Sequence, residues 1–305
     1  MRILITGASG FIGQHLIEDL QTSDYKLFLL TRDSLKHFRN VPENSVKIIG
    51  DINNQNFLNS ALKNIDFVIN IAAEVRNKSH FYNTNVLGTK NLINAIIENK
   101  IKKLIHISSV GVYGKQYSNN ETIINEEYNC NPQNEYEISK YESEKLLLEA
   151  KNKFQLIILR PTNVYGEYHP YNALLNLISH IKSNKPILYS KDAIVNYLYV
   201  KDLTSIIINF VNDNNSTGIY NLGSHFYLKE FANIIYLSLN HKKRYLPVPQ
   251  LLIKISSMFG IKKLNTISNK IIYSDKKLKT LFNYPFDYEK GLIRLIEHYK
   301  NKKLI

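Results

Sequence analysis

One cysteine, Cys130, stands in a chain of 305 residues. An internal disulfide is therefore impossible, and a cysteine-based metal site is not expected. Nor does any run reach the ~18 uninterrupted apolar residues of a transmembrane helix, so no membrane span is expected. The pattern of a secretory signal is missing too. Met1-Arg2 leads straight into Ile3-Leu4-Ile5 and a glycine-rich turn, with no long apolar region and no small-residue cleavage site. These absences point to a reducing, cytoplasmic setting. Internal repeats, low-complexity linkers and a clean domain boundary are also lacking.

Negative charge is in short supply. Lys and Arg number 39 against 26 Asp and Glu, for a net charge of +13. Such a field favours anionic partners, either nucleic acid or a phosphate-bearing small molecule. The lysines are scattered, however. The densest cluster, His241-Lys242-Lys243-Arg244, is short and has none of the interleaved aromatics on which bases stack. No nucleic-acid partner is expected, and no metal.

Hydrophobic residues make up 44% of the chain, enough for one large or two modest domains. Ile3–Ile5, Lys26–Leu30, Val46–Ile49, Phe67–Ile71 and Lys103–Ile107 read as short buried strands. Helical spacing between them covers Gly13–Leu20, Phe57–Leu62 and Asn85–Glu98. Strands alternating with helices predict a Rossmann-type α/β fold, a doubly wound parallel sheet covered on both faces. A helix over Glu135–Lys151 and a strand at Leu156–Leu159 continue it. The expected division is 1–162 with 196–223 as a dinucleotide-binding domain, and 163–195 with 224–305 as a smaller substrate lobe. The first domain takes back strands at Tyr197–Val200 and Ile219–Leu222. Pro247 through Met258-Phe259 reads either as a membrane-surface helix or as a segment packed within the second lobe; the latter is expected.

Thr6-Gly7-Ala8-Ser9-Gly10-Phe11-Ile12-Gly13 follows the first strand and opens a helix. There a pyrophosphate rests on a helix N-terminus, and glycines permit the sharp turn and close backbone approach. The spacing is Gly-x-x-Gly-x-x-Gly, not the Gly-x-Gly-x-x-Gly of the usual dinucleotide fingerprint. Arg32, just past the second strand, lies where an arginine accommodates the 2′-phosphate of NADP. Asp33 beside it is of the type that takes the ribose hydroxyls of NAD. The pair leans towards NADP, with NAD the other choice.

Tyr136-Glu137-Ile138-Ser139-Lys140 puts a phenol and an ammonium on one helical face. A neighbouring ammonium lowers a phenol's pKa, which fits the phenol for proton transfer while hydride moves to or from a nicotinamide. Upstream, Ser108-Ser109-Val110-Gly111-Val112-Tyr113-Gly114 closes a strand, where a serine hydroxyl faces the ligand crevice. Ser109 is the choice to hydrogen-bond the reacting oxygen, with Ser108 competing.

These motifs together resemble the extended short-chain dehydrogenase/reductase family, the NAD-dependent epimerase/dehydratases, over nearly the whole chain. Thr6–Gly13 resembles its phosphate turn, Gly50-Asp51-Ile52 the segment whose Asp contacts adenine, and Ile71-Ala72-Ala73 the strand end along the cofactor. Asn85-Val86-Leu87-Gly88-Thr89 resembles its helix opening, Arg160–Gly166 its substrate-side segment and Tyr220–Gly223 its late strand. Ser274–Leu278 and Gly291-Leu292 resemble its C-terminal helices. The resemblance implies a catalytic triad of Ser109, Tyr136 and Lys140. It implies cofactor contacts from Gly7, Ser9, Gly10, Phe11, Ile12, Gly13, Arg32, Asp51, Ile52, Ala72, Ala73, Tyr136, Lys140 and Pro161, and substrate contacts from Ser109, Val110 and Asn163. The expected activity is NAD(P)-dependent 4-keto reduction or 4-epimerisation of a nucleotide sugar, in a homodimer formed through the Tyr-bearing helix.

Two features narrow the choice. The family's sugar 4,6-dehydratases carry Asp-Glu after the triad hydroxyl, where Val110-Gly111 stands here, so a dehydratase is not expected. Members that bind nucleotide sugars often carry Arg-Asp before a Tyr-Ile-Tyr-Val-x-Asp segment, the Arg gripping the diphosphate, where Val195-Asn196 stands before Tyr197. Asn163, Lys185 or Lys191 is left to contact the nucleotide. The gap keeps open a hydroxysteroid- or flavonoid-like ketone as substrate. A non-catalytic NADP sensor is a third class, but such relatives typically lose the Tyr or Lys kept here.

Overall fold

The computed structural model describes residues 1–35, 37–115, 117–118, 120–169, 173–249, 252, 267–286 and 288–305. It divides into two compact units, 1–114 with 129–161 and 204–220, and 115–128 with 162–203 and 221–305.

The first unit is built on strands β1 (Arg2–Thr6), β2 (Lys26–Thr31), β3 (Val46–Ile49), β4 (Phe67–Asn70), β5 (Lys103–Ile107) and β7 (Gln155–Pro161). With β11 (Gly218–Leu222) they make a seven-stranded sheet of order β11-β7-β5-β4-β1-β2-β3. The five pairings from β7 to β3 are parallel. β4 and β5 are buried at every position, as expected of parallel strands covered on both faces. Their apolar residues join a core with helices α2 (Gln55–Ala61), α4 (Gly88–Glu98) and α5 (Glu135–Glu149), including Val68, Leu92, Ile96, Leu104, Leu147 and Leu156. Each such side chain contributes roughly 1.5–3 kcal/mol by leaving water. The strand order reverses between β1 and β4, which opens a crevice at their carboxyl ends.

Before β5 the chain is helical further back than its periodicity suggests. α3 (Lys78–Phe81) runs into a π-helical turn (Tyr82–Leu87) and then α4. Such turns concentrate at functional sites. This one carries Asn85, whose amide accepts from Glu74 N at 2.8 Å and donates to Ser139 Oγ at 2.8 Å. One side chain thus ties the loop after β4 to α5.

The second unit holds β8 (Asn163–Tyr165), β10 (Ile194–Tyr199) and β12 (Ser224–Tyr227) in one sheet, β10 parallel to β8 and antiparallel to β12. Two-stranded parallel sheets pair β9 (Ile187–Tyr189) with β13 (Tyr245–Pro247), and β6 (Thr122–Ile124) with β14 (Ile271–Tyr273). Helices α6 (Ala173–Lys182), α8 (Leu228–Ser238), α9 (Lys276–Lys279) and α10 (Tyr288–Asn301) complete it. Helix α7 (Val200–Asn212) belongs to the first unit from 204 onward.

The strand expected to return to the large sheet at Tyr197–Val200 is β10, and it lies in the three-stranded sheet instead. Its alternation of buried and half-buried positions suits a sheet covered on one face, unlike the continuous burial of β4 and β5. The apolar run through Met258-Phe259 falls, apart from 247–249 and 252, outside the described residues. Among the described residues no helix is long and apolar enough to cross a membrane.

Candidate active site

The glycine turn closes β1 at the crevice. Gly7 has φ +66°, and a Cβ there would stand 2.7 Å from Ala72 N, so only glycine lets this turn lie against the chain leaving β4. A Cβ on Gly13 would stand 2.5 Å from Gly7 O, which holds helix α1 (Phe11–Asp19) close to the turn. Gly10 is the N-cap of α1 and provides no side-chain cap, and the first turn has no acidic residue. The amides and dipole of a helix N-terminus suit an anion. Phe11 and Ile12 begin the helix, and Ser9 Oγ lies 3.1 Å from Thr31 Oγ1 at the end of β2. This turn fits a dinucleotide's diphosphate.

At the tip of β2, Arg32 is exposed. Asp33 is turned to its own loop, its carboxylate accepting from Leu35 N at 2.9 Å. Asp51 accepts from Asn53 N at 2.9 Å, and Ile52 is buried beneath Gly88, where a Cβ would meet it at 2.7 Å. Ala72 and Ala73 follow β4, and buried Pro161 ends β7.

Ser109 leaves β5 in extended backbone and caps the 3-10 turn Val110–Tyr113, its Oγ accepting from Gly111 N at 3.0 Å. The hydroxyl proton remains to be donated. A Cβ on Gly111 would lie 3.1 Å from Glu137 Cγ and 3.2 Å from Ser109 Oγ, so this turn abuts the first turn of α5. Ser108 is buried, and its Oγ has no hydrogen-bond partner. Helix α5 starts at the cap Asn134, which accepts from Glu137 N at 3.0 Å, while Glu137 accepts from Gln133 N at 2.7 Å. These two bonds, with acids in the first turn, suit the helix N-terminus and its dipole.

One stripe of α5 then carries Tyr136, Lys140 and Glu144 at four-residue steps. Tyr136 is half-buried, with its ring edge-on to Phe81 at 5.8 Å. Lys140 is buried, its ammonium donating to Ile107 O at 2.8 Å and lying 3.3 Å from His106 Nε2. Glu144 is gripped by Arg160 at 3.1 and 2.6 Å, and Arg160 donates to the Tyr113 hydroxyl at 2.8 Å. This buried bidentate pair locks α5 against β7 and the Ser109 turn.

Burial depresses the Lys140 ammonium to about 8 against the opposing pull of Glu144. His106 is held well below its ordinary value, by burial and then by the Lys140 charge, and is neutral. Burial pushes the Tyr136 phenol up to about 12, with Glu137 adding to it. The expected lowering of this phenol by Lys140 does not dominate, because the Lys140 amine is directed at Ile107 O and His106.

Ser109, Val110, Tyr136, Lys140 and the cofactor set all belong to the first unit. Asn163 is exposed on β8 of the second, donating to Asn196 O at 3.1 Å. Asn196, which follows Val195 in the position expected for the diphosphate arginine, is buried and donates to Ile271 O at 2.9 Å, so it serves the sheet. Lys185 and Lys191 are exposed. Sequence reasoning missed His106, Asn70, Asn85 and Glu74. For the first two a signal existed: polar residues inside or ending strands of otherwise continuous apolar character must find partners.

A doubly wound sheet with a glycine turn after β1 and a Tyr-x-x-x-Lys helix defines the dinucleotide-fold class of the short-chain dehydrogenases. The profile of the NAD dependent epimerase/dehydratase family matches residues 3–223, and the chain belongs to this family. Among curated relatives, the chain is 36% identical to N-acetyl-alpha-D-glucosaminyl-diphospho-ditrans,octacis-undecaprenol 4-epimerase of Escherichia coli O157:H7, over 60% of this chain and 54% of that one. It is 30% identical to dTDP-D-glucose 4,6-dehydratase of Dictyostelium discoideum, over 76% of this chain and 60% of that one. The matches thus span little more than half the length of these relatives. In fold it is similar to UDP-glucuronic acid 4-epimerase from Bacillus cereus in complex with NAD, with a TM-score of 0.78, 22% identity and 99% of each chain covered.

Proposed function

We propose that the chain is an NAD-dependent oxidoreductase that epimerises C4 of a nucleotide-linked sugar. The observation that carries this is α5 presenting Tyr136 and buried Lys140 at the carboxyl end of β5, from which Ser109 emerges. The turn from Gly7 to Gly13 and the α1 N-terminus would hold the cofactor's diphosphate, with Asp51, Ile52, Ala72, Ala73 and Pro161 along the rest. When bound, NAD supplies the hydride acceptor and returns the hydride.

Tyr136 takes the proton of the C4 hydroxyl as the C4–H bond gives up its hydride, leaving a 4-keto sugar. Ser109, already accepting from Gly111 N, donates its own proton to the reacting oxygen. Lys140 stabilises the phenolate that accepts this proton. Turning the ketone before hydride return inverts C4, and Tyr136 gives the proton back. Val110 and Asn163 are assigned to the sugar nucleotide. A cytoplasmic homodimer is part of the same proposal.

A second reading, NADPH-dependent 4-keto reduction, is favoured by one observation. The Asp33 carboxylate is committed to Leu35 N, which leaves Arg32 as the charge at the β2 tip. The test is to incubate the protein with UDP-glucose, UDP-N-acetylglucosamine and UDP-glucuronic acid and to look for C4 epimers by NMR. A parallel arm follows NADPH absorbance with 4-keto sugar nucleotides. Epimer without added cofactor supports the first reading, and NADPH consumption the second. Inactivity in both arms, with cofactor bound, removes sugar nucleotides as substrates.

A further inference from the structure

Behind Lys140 a line of polar groups crosses the buried sheet at the reversal of strand order. It begins with a donor whose direction is not negotiable, the backbone N–H of Ala72, which points at Thr6 Oγ1 at 3.2 Å. Having accepted there, the Thr6 hydroxyl spends its proton on Asn70 Oδ1 at 2.6 Å. The other end of that amide, Nδ2, lies 3.0 Å from His106 Nδ1 and has only protons to offer. His106 Nδ1 therefore accepts. A neutral imidazole carries one proton, and it is left on Nε2, which lies 3.3 Å from Lys140 Nζ. Thr6, Asn70, His106 and Lys140 are each no more than 1% exposed.

We propose that His106 is a positioning residue for Lys140: Asn70 fixes the imidazole with its proton on Nε2, facing the lysine amine and favouring the uncharged form. The proposal rests on Lys140 being the partner of Tyr136 and adds what controls that lysine. An N–H donor opposes an ammonium and is accepted by an amine's lone pair, while the Ile107 carbonyl takes a proton from either form. The charge that bears on Lys140 from its own helix is Glu144, shared with Arg160 from β7, while Tyr136 stands one turn away. His106 thus offsets the residual pull of Glu144 and keeps Lys140 able to give up or regain a proton in the neutral range.

The test reads protons directly and needs no turnover. The protein with its cofactor is labelled with 15N in histidine and 13C in lysine; His106→Gln and Lys140→Met assign the two signals. The expected wild-type result is an imidazole protonated on Nε2 and bare on Nδ1 from about pH 6 to 9. Asn70→Asp keeps the side chain's size but offers only acceptors. There the tautomer should reverse, and the Lys140 midpoint should rise by about one unit or more, an opposite charge and an acceptor both favouring the ammonium. A wild-type imidazole protonated on Nδ1 overturns the proposal, as does an Asn70→Asp protein whose Lys140 midpoint matches wild type. The wild-type tautomer decides alone should that variant not fold. Failure to turn over sugar nucleotides would count against the proposed function and leave these signals untouched.

Discussion

Two lysines of the first unit are buried at opposite ends of the same strand, and they are provided for differently. Lys103 opens β5. Its ammonium donates to the carbonyls of Phe210, Val211 and Asp213 at the end of α7, and it faces the Phe67 ring at 5.3 Å. A cation there satisfies orphan carbonyls and complements the helix dipole. Lys140 reaches the other end of β5, where it has one carbonyl and an imidazole nitrogen. Burial lowers the affinity of both for their protons, opposed by Asp213 at Lys103 and by Glu144 at Lys140. A buried charge with three carbonyls is a fastening. One with a single carbonyl and a nitrogen facing it is poised to change its protonation state, as a catalytic group must be. In a parallel sheet ligands gather at the carboxyl ends, and that is the end where the fastening is incomplete.

The largest effect should come from breaking the poised end. Tyr136→Phe is expected to reduce kcat by about 100- to 10,000-fold with cofactor affinity nearly unchanged, and Lys140→Met to reduce both. Steady-state kinetics with cofactor titration checks this. Stability should move the other way. The folded-state value of Lys140 is about 8 against an ordinary 10.5, so the unfolded chain binds the proton more tightly. Lys140 therefore detracts from stability below about pH 8, and the loss fades as pH rises towards 10.5. Lys140→Met should be at least as stable as wild type at pH 7, with the advantage shrinking across that window in urea melts. A variant less stable at pH 7 and equally so at pH 10 would erase the contrast between the two lysines.

Lys103→Met is the reciprocal break. Three carbonyls at the end of α7 would lose their donor, and an unsatisfied buried acceptor costs about 1–3 kcal/mol. The urea midpoint should fall accordingly, while kcat stays within about twofold of wild type. A loss of kcat comparable to that of Lys140→Met would mean that the two ends of β5 are not separate in function.

Much of this contrast was legible in the sequence, and some was not. The runs Val46–Ile49 and Lys103–Ile107 are strands with the expected bounds, because a short run rich in Val, Ile and Leu reads as a strand, although only the second is buried throughout. The glycine turn and the Tyr136 helix were legible for a similar reason: each is a local device with local spacing. What escaped were partners brought together by the strand order. His106, Asn70 and Thr6 lie on three strands far apart in sequence, and only the order β5-β4-β1 makes them neighbours. The fate of β10 was hidden likewise, since its alternation identifies a half-covered strand without saying in which sheet. The same limit applied to the phenol: spacing put Lys140 one helical turn away, but burial at Tyr136 cannot be read from spacing.

The smallest expected effect lies at the surface, again as a pair on one strand. Lys26 begins β2, exposed and 5.9 Å from the Phe28 ring. Arg32 follows the other end of β2, also exposed. Isolated exposed charges contribute little to stability, so neither Lys26→Ala nor Arg32→Ala should shift the melting temperature measurably. Ligand binding should separate them. A 2′-phosphate gripped by a guanidinium is a charge-assisted contact worth about 1.5–3 kcal/mol. Arg32→Ala should therefore weaken NADP about 10-fold or more while changing NAD by less than about twofold, and Lys26→Ala should change neither. Calorimetric titration with both dinucleotides measures the four affinities. Equal small losses for NAD and NADP in Arg32→Ala would assign the arginine to general attraction of anions. A lone loss of NADP would instead mark the carboxyl end of β2 as part of the cofactor-binding edge, so that position along a strand decides what even an exposed charge can do.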